Sequence, residues 1–176
     1  SIGALNGAMV ASDDFDSALS IWQEISVNDV IRNGINVNES FFKETRAKQP
    51  KEILSFAKSY VNNRGVDISP FVSLLYSKVN LTAVKNSKRK FGVIVCKYPR
   101  MIEIKKQLNG VNEQEIMDYL LASSACWPIF PIHEIDGVKY ADGGYRNNLP
   151  IDFALELGAD EVIAVYSHVD RMVTLG

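Results

Sequence analysis

The chain has 176 residues, is 47% hydrophobic and 23% charged, and carries a formal net charge of −2. That size and balance suit a single domain over 1–176 with a sizeable core, and exclude a disordered chain. The charge gives no basic footprint for nucleic acid, no apolar run reaches the roughly 18 residues that span a bilayer, and two cysteines without CxxC spacing build neither a disulfide scaffold nor a zinc site.

Residues 1–11 are small and apolar, the composition of a buried helix, with Gly3 and Gly7 on one face for close packing. Asp13, Asp14 and Asp16 interrupt it; they lack the ligand spacing of a calcium loop and are expected to cap a helix over about 17–25. A 3.6 period in Ile53, Leu54, Ala57 and Val61 predicts an amphipathic helix over 50–63, stopped by Gly65. Asp67 or Ser69 can cap another, with Pro70 in its first turn and Phe71, Leu74 and Leu75 inward. The basic stretch 85–90 reads as a solvated loop or, alternatively, a contact for an anionic surface.

Residues 91–97 read as a buried strand ended by Pro99, with 101–105 as its neighbour, and 113–123 as a helix. Asp136-Gly137 between alternating arms predicts a hairpin over 132–140. A helix over 150–157 closing at Gly158 and an apolar strand over 161–166 complete the chain. Helices interleaved with buried strands imply α/β layers around a largely parallel sheet. Cys96 and Cys126 lie in apolar surroundings and are expected to be buried free thiols, which favours a reducing, cytoplasmic setting. Phe41, Phe42, Phe71 and Trp127 are expected in the core, with an apolar pocket or a membrane face as the alternative.

His133 and His168 are the only histidines, and neither adjoins a clear nucleophile. A Ser-His-Asp triad stays open because triads assemble in space, yet a mechanism without histidine is equally in view. Ser1-Ile2-Gly3-Ala4-Leu5-Asn6-Gly7 has the small residues that follow a nucleophile on a strained strand-to-helix turn, where a helix N-terminus faces a developing oxyanion. Asp142-Gly143-Gly144 sets a carboxylate at a strand end where the backbone can turn steeply, with Asn147 and Asn148 able to hydrogen-bond the loop that follows.

These segments resemble the patatin-like phospholipase family. Residues 1–8 are similar to its Ser-x-Gly-Ala-x-Asn-Gly-Ala segment, 122–131 to its Ala-Ser-x-Ala-x-Pro-x-x-Phe-Pro block, and Asp142-Gly143-Gly144 with Asn148 and Pro150 to its Asp-Gly-Gly and Asn-x-Pro pattern. Asp67-Ile68-Ser69-Pro70 is similar to a segment that opens a mid-chain helix in many members. The resemblance implies a three-layer α/β/α fold with a central, mostly parallel sheet, and a Ser-Asp dyad acting on lipid acyl esters without cofactor or metal. Ser1 would be the nucleophile and Asp142 the base, with Ile2 and Gly3 at the oxyanion elbow and Gly143, Gly144 and Asn148 supporting the loop. Partners would be a lipid or acyl ester and, transiently, a membrane surface. Cys126-Trp127 ahead of Pro128 departs from the family block and is expected to reshape the acyl pocket. The family's nucleophile strand and glycine-rich oxyanion loop, which would precede Ser1, are absent from the sequence, so low activity is expected of it in isolation. Other readings are an acyltransferase on the same dyad, a hydrolase using the Ser1 α-amino group as base, and a non-catalytic lipid-binding module.

Overall fold

A computed structural model describes residues 2–32, 65–127 and 129–165 of the chain. The helix foreseen over 50–63, together with Phe41, Phe42 and His168, lies outside them.

Helix α1 (Ile2–Ala11) buries Ala4, Leu5, Ala8, Met9 and Ala11. A Cβ on Gly7 would lie 2.5 Å from the Phe91 ring, the close packing expected of that glycine face. Asp14 caps α2 (Phe15–Glu24) by accepting from the Ser17 N–H at 3.1 Å, so this helix starts two residues earlier than read from the sequence. In α3 (Ser69–Lys78), Asp67 accepts from the Ser69 N–H at 2.9 Å and Phe71 and Leu75 are buried. Phe71 meets Phe130 at a ring separation of 6.1 Å, as core packing requires. A short helix α4 (Leu81–Lys85), capped by Asn80, was not signalled by periodicity.

The basic stretch after α4 is partly committed to local partners. Arg89 pairs with Asp13 at 3.0 Å, and the Lys90 ammonium donates to the Leu157 carbonyl at 2.5 Å, just past a helix end.

Strands β1 (Gly92–Lys97), β2 (Ile102–Gln107), β3 (His133–Ile135) and β4 (Val138–Asp142) form one sheet in the order β2-β1-β4-β3. The hairpin turns at Asp136 (φ 48°) and Gly137 (φ 77°), as the Asp-Gly signal predicts. Every pairing among the described residues is antiparallel, so the mostly parallel sheet is not what these four strands form. The misleading feature was β1, whose residues 93–96 are all buried. Its two-sided burial comes from its place inside the sheet, with α5 (Glu113–Ser123) and the turn after β4 packed against it. Helix α5 lies where the sequence put it; Asn112 caps it by accepting from the Glu115 N–H at 2.8 Å.

Helix α6 (Ile151–Glu156) buries Phe153 and ends before Gly158 at φ 91°. The strand foreseen over 161–166 is not formed in residues 161–165, where Ile163 is 94% exposed. An apolar run becomes a strand only when a neighbour takes its backbone hydrogen bonds, and among the described residues none lies beside it. No helix among those residues is long and apolar enough to cross a membrane.

Candidate active site

The inner strand β4 ends at Asp142, which is held from two directions. It is registered opposite Val95 of β1, and its N–H donates to the Ala125 carbonyl at 2.9 Å. The chain then tightens into a 3-10 turn, Gly143–Tyr145, and Asp142 Oδ1 accepts from the Gly144 N–H at 2.7 Å. The carboxylate is thus tied to its own turn and half-buried.

The two glycines serve different ends. A Cβ on Gly143 would fall 2.2 Å from the Ile94 carbonyl oxygen and 2.4 Å from its carbon, so the turn is pressed directly on the β1 backbone. A Cβ on Gly144 would meet Asp142 Oδ1 and Asn148 Oδ1, each at 3.2 Å. Gly143 permits the approach of two backbones, whereas Gly144 leaves room for two polar side chains.

Strand β2 braces the loop that follows. Arg146 Nε donates to the Met101 carbonyl at 2.8 Å, and Asn147 Nδ2 donates to Glu103 at 3.2 Å and Asp152 at 3.0 Å. Lys105 bonds both Asp152 and Glu156. These two hydrogen bonds, Asp152 first, raise the Lys105 pKa, while those from Lys105 and then Asn147 hold the Asp152 carboxyl below the usual carboxylate range.

Across from this loop stands the first turn of α1. Gly3 and Ala4 on one side, Gly144, Asn147 and Asn148 on the other, and Ser123 at the end of α5 all line a cleft of about 240 Å³. The sequence segments suspected of chemistry therefore meet, although 141 positions separate Gly3 from Gly144. Ser1 and the Ile2 side chain lie outside the described residues.

His133 stays apart from this cleft; its Nε2 lies 3.1 Å from Asp118 Oδ1 on α5, a structural tie of the kind the sequence suggested. Cys96 is buried, and its thiol contacts the Gly143 carbonyl at 3.8 Å; burial first, then the nearby Asp142 carboxylate, pushes its pKa up. Cys126 is exposed, contrary to expectation. It follows the C-terminal end of α5, where the chain turns outward and its thiol meets the Tyr145 hydroxyl at 3.8 Å. Desolvation, then the Cys126 contact, pushes the Tyr145 phenol up to about 12. Trp127 is likewise exposed rather than in the core.

Residues 1–155 match the family model described as patatin-like phospholipase. The chain belongs to the patatin-like phospholipase family. Members of this family generally hydrolyse lipid esters, and the matched span contains both walls of the cleft. Comparison with curated proteins and with solved structures gives no match. In this patatin-like chain, two residues given no role by the sequence reading help shape the site. Ala125 anchors the Asp142 backbone and Ser123 lines the cleft. Their signal was the Ala-Ser-x-Ala block, which carried the resemblance but revealed no partner.

Proposed function

We propose that the chain is a lipid acyl hydrolase in which Ser1 is the nucleophile and Asp142 its base, acting through an acyl-enzyme intermediate. What supports this reading is the cleft that the first turn of α1 shares with the loop after Asp142. The Ser1 hydroxyl attacks the ester carbonyl, and its proton passes to the Asp142 carboxylate as the carbon–oxygen bond forms. Collapse of the tetrahedral intermediate releases the alcohol, which takes that proton. Water then repeats the sequence on the acyl-enzyme, freeing the fatty acid and Ser1.

An ordinary carboxylate is a weak base at neutral pH, with a pKa near 4. Stabilising the oxyanion must therefore carry much of the rate, and one lost donor in such a site costs about 3–4 kcal/mol. The N-terminus of α1 has the required polarity, and no acidic residue in its first turn opposes the anion. In this reading the Ile2 N–H is one donor, Gly3 keeps the approach open, and Gly143, Gly144 and Asn148 hold the base at its depth.

A fluorophosphonate probe should label Ser1 and fail to label the Ser1→Ala variant. Asp142→Asn should keep the fold, by circular dichroism, and lower ester turnover by roughly 10²–10⁴. Near-normal turnover in Asp142→Asn would overturn the assignment of the base.

A further inference from the structure

Beside the cleft, three loops are fastened into one face. The Tyr145 hydroxyl donates to the Trp127 carbonyl, the Trp127 ring meets the Tyr98 ring at 6.3 Å, and Arg146 Nε reaches the Met101 carbonyl at 2.8 Å. The strip carrying Trp127 also holds Asp142, through the Ala125 carbonyl, so this face adjoins the candidate base. Trp127 and Tyr145 are each 45% exposed, and Tyr98 is half-buried beneath them. Lys97 and Arg100 flank Tyr98 in the chain, Arg146 follows Tyr145, and all three are exposed. Two neighbouring carboxylates are turned to other work, since Glu103 accepts from Asn147 and Asp142 from the Gly144 N–H.

Aromatic rings with polar tips, with exposed cations next to them in the chain, match the boundary between lipid headgroups and acyl chains. The chain as a whole is slightly acidic, at −2, so any attraction to an anionic surface must come from a local patch. The basic stretch at 85–90 is a poorer candidate, because Phe91, its aromatic neighbour in the chain, is buried and Arg89 pairs with Asp13. We infer that the Tyr98–Trp127–Tyr145 face, together with its chain neighbours Lys97, Arg100 and Arg146, docks the protein on an anionic phospholipid surface and turns the cleft toward its substrate. The substrate half of this inference rests on the lipid hydrolase reading; the docking half does not.

The protein has two tryptophans, and Trp22 lies on α2, where its indole donates to Asn6. Trp22→Phe protein therefore carries Trp127 as its single fluorescent reporter. Its emission should shift to the blue on vesicles of phosphatidylcholine mixed with phosphatidylglycerol, and stay put on phosphatidylcholine alone. Lys97→Gln and Arg100→Gln should each weaken sedimentation with the mixed vesicles about fivefold. Neither substitution should change turnover of a water-soluble ester. Trp127→Ala should weaken vesicle binding further, and its folding is checked by circular dichroism. Asp142→Asn should bind vesicles like the parent, which separates failure of docking from failure of the dyad. Unchanged Trp127 emission, equal binding to both vesicle types, or full binding by both cation variants would overturn the docking face.

Discussion

Alanine placed at each of the two glycines after Asp142 should separate what holds the fold from what holds the site. Neither glycine has a positive φ, so the effect is steric rather than conformational. In Gly143→Ala the new methyl would sit 2.2 Å from the Ile94 carbonyl oxygen, where real Cβ contacts stay beyond 3.0 Å. Relief requires the turn and β1 to part by about 1 Å, yet β1 is the buried inner strand paired on both sides. Overpacking typically costs 1–3 kcal/mol, and a backbone obstacle puts this case at about 3 kcal/mol or more. At about 2–4 °C per kcal/mol for a domain of this size, Tm should fall by roughly 6–12 °C. In Gly144→Ala the methyl would meet only the tips of Asp142 and Asn148, at 3.2 Å, and both can swing aside. Its stability cost should stay under about 1 kcal/mol. If Asp142 is the base, a shift of a few tenths of an ångström in its carboxylate should lower turnover measurably, by less than the roughly 100-fold that a 1 Å misplacement can cost. Thermal unfolding and ester hydrolysis of the two variants, side by side, decide the matter. A Gly143→Ala protein as stable as the parent, or a Gly144→Ala protein less stable than the Gly143→Ala one, would refute the division of labour.

The two thiols should react unequally: in native protein an alkylating reagent should modify exposed Cys126 at once and reach buried Cys96 only after unfolding, with peptide mapping as the readout. The lowered Asp152 pKa means that its bond to Lys105 stabilises the fold fully above the ordinary Asp value of about 3.9, and that this contribution fades as pH falls through the lower folded value. The Tm gap between the parent and Asp152→Asn should therefore hold steady from neutral pH to about pH 5 and close at more acid pH, and a gap that widens there would contradict the linkage.

Elements defined by local chemistry were legible in the sequence. The Asp136-Gly137 turn fixed the hairpin, and the helix read over 113–123 is the one formed. Sheet direction was not legible, because four buried positions in a row describe β1 whether its neighbours run parallel or antiparallel. Only long-range pairing of Val95 with both Ile104 and Asp142 distinguishes the two. The Asp-Gly-Gly motif was visible, but the separate duties of its glycines depend on Ile94 and Asn148, which no spacing rule connects to it. Exposure of Cys126 and Trp127 went unseen for a similar reason: their apolar neighbours in sequence face inward from α5, while they follow its end.

The contact between Gly143 and the Ile94 carbonyl leaves the acid's perch without slack. Any repacking under β1 is passed straight to Asp142, so if that carboxylate is the base, core substitutions far from the cleft should register as changes in turnover.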